Sequence, residues 1–309
     1  MHIRIGTRSS RLAVWQAEYI QRLLASGGLT SELVLIETKG DLVLDRSLAK
    51  IGSKGVFTQE LEDQLRAGSI DIAVHSAKDL QSSLPPDLSI IAFTERERVN
   101  DVLVSRDTSL SLTSGKPFVI GTSSTRRVAM LRHFCPHILV VDMRGNLQTR
   151  LRKLDEGHCD ALILAYAGVH RMQYDDLIVE YLPIDDFTPA VGQGSVAIEV
   201  ADTLPLGKLN AIRQLTNHEP TEVALKAERS FLRRLEGGCS IPVFALATND
   251  TERITLTGGL IGLDGNQLLR ETFVGPIAQA ESLGHELAES ILGQGGDEIL
   301  QAIRHQLSQ

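Results

Sequence analysis

Three stretches of this chain place a small hydroxyl or amide residue just before a helix-like segment that carries arginine in its first turn. They are Ile5-Gly6-Thr7-Arg8-Ser9-Ser10, then Ile120-Gly121-Thr122-Ser123-Ser124-Thr125-Arg126-Arg127, and Met143-Arg144-Gly145-Asn146 followed by Arg150. A helix N-terminus already presents unpaired N–H groups and the positive end of its dipole, so a cation there costs from a few tenths to about 1 kcal/mol. Repeating that cost points to an anion lodged among the charges, of the kind a substrate with several carboxylates or phosphates provides. Surface arginines paired with acidic neighbours explain any one stretch equally well, but explain all three together poorly.

Other groups suggest chemistry of their own. In Ile72-Ala73-Val74-His75-Ser76-Ala77-Lys78-Asp79 a strand runs directly into Ser, Lys and Asp. The carboxyl end of a strand in an open α/β sheet is where ligands sit, so Asp79 is placed to exchange a proton or steady a developing cation. A lysine–aspartate turn on the surface is the alternative. Cys239 follows Gly237-Gly238 in an expected loop, with Arg233 and Arg234 as candidate helpers toward thiolate character. Cys135 and Cys159 read as small buried hydrophobes. No metal site is expected: His133 and His137 flank Pro136, which breaks the helix that would align them. Gly52-Ser53-Lys54-Gly55 lacks the spacing of a phosphate loop and reads as a loop whose Lys54 closes over a cleft.

Alternating strands and helices must position these groups. Up to about Phe93 the pattern runs through strands at Leu33–Ile36 and Ile70–Val74, with Phe57, Leu61 and Leu65 on one helical face between them. A charged stretch, Thr94–Arg98, reads as a crossing, after which strands at 118–121, 138–142 and 160–164 alternate with helices at 124–134 and 147–156. The Ile-Gly-Thr echo at positions 5 and 120 suggests two similarly built halves whose strand ends face each other across a cleft. Thr188–Gly194 reads as the return crossing before a strand at Val196–Val200, and two crossings make a hinge. A helix over Glu219–Leu235, hairpin turns at Asn249-Asp250 and Asp264-Gly265-Asn266, and two terminal helices form a separate α+β unit. The expected domains are 1–95 with 196–216, then 96–195, then 217–309.

Composition restricts the function classes. The 309 residues are 42% hydrophobic, 23% charged and 4% aromatic, with a net charge of −8. An acidic chain lacks the basic surface that nucleic acid requires. No apolar run reaches the length of a bilayer span, and three scattered cysteines fit a reducing compartment, so a cytoplasmic location is expected.

The ordered segments closely resemble the porphobilinogen deaminase (hydroxymethylbilane synthase) family over essentially the whole chain. They are Gly6–Ser10 with Leu12-Ala13 and Gln16, Gly52–Gly55 with Phe57, His75–Asp79, Gly121–Ser124 with Arg126-Arg127, and Arg144–Asn146 with Thr149-Arg150. Ala165 with Ala167-Gly168 and Arg171, Pro189–Gly194, and Leu235–Cys239 complete the set. The resemblance implies a three-domain α/β fold: two periplasmic-binding-protein-like lobes with a hinge, and a smaller α+β C-terminal domain. It implies a transferase of tetrapyrrole and haem biosynthesis that joins four porphobilinogen molecules head to tail, releasing ammonia each time, and then hydrolyses off hydroxymethylbilane.

A dipyrromethane cofactor held by a thioether from Cys239 is implied as primer. Asp79 is the implied catalytic group, stabilising an azafulvenium cation and the pyrrole N–H groups. Cofactor contacts are implied for Ser76, Lys78, Asp79, Thr122, Ser123, Ser124, Arg126, Arg127, Arg144 and Arg150. Substrate contacts are implied for Arg8, Ser10, Gln16, Lys54, Phe57, Arg144, Arg150 and Arg171. Each porphobilinogen carries an acetate and a propionate, which suits the flat fork of arginine. Porphobilinogen is the expected partner of a monomer that binds neither nucleic acid nor membrane. Arg11 and Gln81 stand where the family commonly has proline, Leu80 where it has valine, and Ser240 where glutamine is common; loss of the proline after Asp79 would loosen that turn. A non-enzymatic two-lobed carboxylate binder is the rival, but it leaves Cys239 and the third domain without a purpose.

Overall fold

The computed structural model describes residues 1–38, 58–238 and 240–308. Lys54 and Phe57, together with Gly52–Gly55, and Cys239 lie outside the described residues.

Two five-stranded sheets share one plan. In the first, β1 (His2–Arg8) lies parallel between β2 (Thr30–Ile36) and β3 (Ile72–Ser76), and β10 (Val196–Ala201) runs antiparallel between β3 and β4 (Leu88–Phe93). In the second, β6 (Val119–Gly121) lies parallel between β7 (Leu139–Val141) and β8 (Ala161–Ala165), and β5 (Asp101–Val104) runs antiparallel between β8 and β9 (Ile178–Tyr181). Each antiparallel strand bears one register shift, at Ile198/Glu199 and at Leu103/Val104. The Ile-Gly echo has its cause here: Ile5-Gly6 and Ile120-Gly121 are corresponding steps of β1 and β6, each second from the edge of its sheet.

The strand β10 reaches the first sheet only after the chain has built the second. Segments 94–100 and 188–195 are therefore paired crossings, held together where Thr94 N donates to Val196 O (2.9 Å) and Glu97 N to Gly194 O (3.1 Å).

The helices begin where their caps dictate. Ser10 caps α1 (Arg11–Ser26), which turns Ala13, Ala17, Ile20 and Leu24 into the first core. Ser124 caps α3 (Thr125–Phe134) and Asn146 caps α4 (Leu147–Asp155), so the three small polar residues singled out in the sequence are all N-caps. Between them, α2 (Gln59–Arg66) follows Thr58 and buries Leu61 and Leu65, and α5 (Tyr166–Arg171) follows β8.

After α6 (Leu206–Thr216), α7 (Glu219–Arg234) and α8 (Ala280–Ile291) pack on an antiparallel sheet of β11 (Val243–Asn249), β12 (Arg253–Ile261) and β13 (Leu268–Pro276). Phe231 of α7 is fully buried there, worth about 2–3 kcal/mol. The last helix, α9 (Asp297–Ser308), adds Ile299, Leu300 and Ile303 to that core. α7 stops at Arg234, and the left-handed residue after it is Glu236 (φ 49°), not one of the glycines that follow.

This third unit has its own sheet but not a sealed core. Phe244 and Ile261 are buried among second-lobe residues such as Ile120 and Leu131, while Leu225 packs with Ala77, Leu80 and Phe93 of the first lobe. No helix of the described residues is long and apolar enough to cross a membrane.

Candidate active site

The carboxyl end of β3 delivers the chain into a three-residue 3-10 turn, Ala77–Asp79, with Asp79 exposed and Leu80 buried behind it. A pocket beside this turn is lined by Arg8, Ser10, Gln16, His75, Ser76 and Asp79. Five of those six are sequence-predicted site residues, contributed by β1, α1 and β3. Gln16 is buried and donates through Nε2 to Ser76 Oγ (2.8 Å), which locks both side chains at the pocket floor. His75 faces back into the fold, its Nε2 3.0 Å from Glu199 Oε2.

The second lobe carries the other predicted hydroxyls and arginines. Ser124 Oγ accepts from Arg127 N, Thr122 Oγ1 from Ser124 N (3.3 Å) and Ser123 Oγ from Met143 N (3.1 Å). These hydroxyls thus shape the loop after β6. Arg126 and Arg127 follow, and both are buried.

Their first counter-ion belongs to the chain itself. Arg126 donates to Asp101 Oδ2 (2.6 Å) and to Thr188 O (2.8 Å); Arg127 donates to Asp101 Oδ1 (2.7 Å) and to Ile163 O (3.0 Å). Gln193 adds a third bond to Asp101 (2.9 Å). Burial alone would raise the Asp101 carboxyl, but the two guanidiniums overcome it and hold the group well below the usual carboxylate range. Asp101 was not among the sequence-predicted residues. Its only sequence signal was an acid heading a short apolar strand.

Two charged centres connect the lobes. Burial, and then repulsion from Arg127, holds the Lys78 ammonium down at about 8, while Asp79 and Asp101 pull the other way. Lys78 Nζ also lies 3.4 Å from Gln193 Oε1. Burial and then Arg127 likewise hold Arg150 down at about 10, against the pull of Asp79 and Asp142. Arg127 of the second lobe therefore acts on Lys78 of the first, and Asp79 of the first lobe acts on Arg150 of the second. Arg150 Nε donates to Gly145 O (2.8 Å) and Arg144 Nε to Asp142 Oδ2 (3.1 Å), so the two occupy neighbouring positions at the start of α4.

Arg171 stands nearer the crossings. It donates to Gly194 O (2.6 Å), and its guanidinium carbon is 5.3 Å from the centroid of the Trp15 ring on α1. Of the arginines expected to aid Cys239, Arg233 pairs with Glu281 (3.5 Å) and Arg234 with Glu289 (2.5 Å), both on α8.

A buried carboxylate ties the lobes to the third unit. Glu228 of α7 accepts from both terminal nitrogens of Arg96 (2.5 and 3.1 Å), from Gly192 N (2.9 Å) and from Ala247 N (2.8 Å). Both crossings and β11 thereby meet at one side chain, which sequence reasoning missed because its partners lie 19 to 132 positions away.

Comparison with known proteins identifies the family. A family model described as porphobilinogen deaminase, dipyromethane cofactor binding domain, matches residues 3–204, and one for the porphobilinogen deaminase C-terminal domain matches residues 223–293. The porphobilinogen deaminase of Cytophaga hutchinsonii is 56% identical over 306 residues, covering 99% of this chain and 98% of the relative. That of Desulfosudis oleivorans is 52% identical over 307 residues, covering 99% of each. Among solved structures, lipoprotein Tp32 from Treponema pallidum aligns with a TM-score of 0.44 at 12% identity, over 69% of this chain and 90% of that one. The chain belongs to the porphobilinogen deaminase family.

Proposed function

We propose that this chain takes porphobilinogen as substrate, extends a dipyrromethane primer attached at Cys239 by four units with release of ammonia, and frees hydroxymethylbilane by hydrolysis. What supports the reading is the electrostatic reach between the lobes, with Arg127 acting on Lys78 and Asp79 on Arg150.

The residues present suit the primer. Burial, and then repulsion from Arg127, hold Lys78 and Arg150 below their ordinary values, and the four carboxylates of a dipyrromethane would favour the charged forms of both. When bound, the primer supplies the nucleophilic pyrrole carbon. Lys78, Arg127, Arg144 and Arg150 would hold its acetate and propionate groups, with Arg126 bracing Asp101 behind them. Ser76, Thr122, Ser123 and Ser124 would add hydrogen bonds or fix the loops that carry the cations. Arg8, Ser10, Gln16 and Arg171, joined by Lys54 and Phe57, would receive the incoming unit.

Asp79 is the acid–base group in this reading. It hands a proton to the departing amine as the methylene–nitrogen bond breaks. It takes back the proton lost from the pyrrole carbon once the new carbon–carbon bond is made, so each coupling returns the carboxyl to its starting state. The finer reading includes domain boundaries at 1–95 with 196–216, 96–195 and 217–309, and a monomer acting in the cytoplasm without nucleic acid.

The test is intact mass together with turnover. Purified protein should exceed its polypeptide mass by two pyrrole units, Cys239→Ser should abolish the excess, and incubation with porphobilinogen followed by acid and oxidation should give porphyrin colour. Active protein at its bare mass would overturn the attachment. Absence of colour from protein carrying the adduct would overturn the activity and favour a carboxylate binder.

A further inference from the structure

The turn that carries Asp79 is gripped from two directions. On one side Ala77 N donates to Ser195 O (3.0 Å), and the return crossing presses against the turn at Gly192. With φ at +77°, a Cβ on Gly192 would lie 2.9 Å from Ala77 C and 3.0 Å from Lys78 N. That grip reaches Ala77 and Lys78, the first two residues of the turn. At the exit stands Gln81, whose Nε2 donates to Thr58 Oγ1 (3.2 Å) and to Glu62 Oε1 (3.1 Å). The Thr58 hydroxyl donates to the same Glu62 oxygen (2.6 Å), and Thr58 and Glu62 are both buried. Gln81 O accepts from Arg229 (2.9 Å), so its backbone is fixed as well as its side chain.

We propose that Gln81 is a positioning residue for Asp79, acting through its amide bridge from the exit of the turn to Thr58 and Glu62 at the start of α2. This rests on the role given to Asp79 above. The sequence alone suggested a looser turn, because glutamine stands where the resembling family commonly has proline. Proline restricts φ but has no donor to give, whereas here the restraint is supplied by two side-chain bonds from one amide. Thr58 also lines the pocket that contains Asp79, so the bridge joins that pocket's wall to the turn bearing its carboxylate. A catalytic group displaced by about 1 Å loses on the order of a hundredfold in rate, and release at one end of a turn still held at the other should cost less.

Steady-state kinetics on the cofactor-loaded enzyme test this. Gln81→Leu keeps the bulk and removes the donor; kcat should fall about tenfold with KM within about twofold and the melting temperature nearly unchanged. Gln81→Glu sets a carboxylate against Glu62 and should lose at least as much. Combining Gln81→Glu with Glu62→Gln again opposes a donor to an acceptor, with their roles exchanged, and should recover most of the lost kcat; this pair also serves if Gln81→Leu does not fold. Gln81→Leu with wild-type kcat, or a folded exchanged pair no faster than Gln81→Glu alone, would overturn the proposal. Asp79→Asn measured in parallel separates the two claims. Full turnover in Asp79→Asn removes the underlying role, whereas an inactive Asp79→Asn beside an unaffected Gln81→Leu removes only the positioning role.

Discussion

Asp79 is exposed on a short turn while Lys78 beside it is half-buried and short of its ordinary proton affinity. Adjacent residues thus differ because one points to the cleft and the other lies among cations. If Asp79 exchanges the proton in each coupling, Asp79→Ala should lower kcat by about 10²–10⁴-fold with little change in melting temperature, since an exposed carboxylate stabilises little. Near-normal turnover would reject the role. Lys78 has a pH signature. Its value drops from 10.5 to about 8 on folding, so between those limits the unfolded chain holds the extra proton and stability from this group rises with pH. In the folded protein the charge that attracts carboxylates is lost around pH 8. Binding of porphobilinogen to primer-free protein should therefore weaken as pH rises through about 8, and Lys78→Met should bind more weakly at pH 7 and lack that fall. Parallel pH profiles for the two proteins would contradict this.

At the scale of elements, the N-terminus of α3 would be unstable without β5. Two adjacent buried guanidiniums at the positive end of a helix are tolerable because Asp101 reaches both. Asp101→Ala leaves two buried charges without their counter-ion, and urea unfolding should report a loss of about 3–5 kcal/mol. A loss below about 1 kcal/mol would show that the arginines relax toward solvent. The expectation of anions among the arginines was therefore met first by an internal carboxylate. It was legible as a charge pattern but not as a partner, because Asp101 lies 25 and 26 positions from the arginines it pairs with.

Across the whole molecule, Glu228 gathers both crossings and the third unit, and the shared cores at Phe244 and Leu225 join that unit to each lobe. Glu228→Ala removes four hydrogen bonds to one buried carboxylate and leaves Arg96 without its counter-ion, held through Gln193 O. Calorimetry should show the third unit of Glu228→Ala unfolding at a lower temperature than in the wild type and separately from the lobes. One transition at the wild-type temperature would refute that coupling.

Local chemistry settled a large part of this protein before any fold was known. Ser10, Ser124 and Asn146 mark helix starts because a side-chain oxygen must meet orphan N–H groups at once, within three residues. Alternating apolar runs marked seven of the ten strands in the two lobes but not those at 88–93, 101–104 and 178–181, and the repeated Ile-Gly step announced a common plan. Tertiary structure alone decided which charges face each other. Whether Arg127 meets Asp101, Gln81 meets Thr58 or Glu228 meets Gly192 depends on strands and crossings brought together from distant parts of the chain. Coulomb and hydrogen-bond energies depend on separation in space, on which the order of residues is silent.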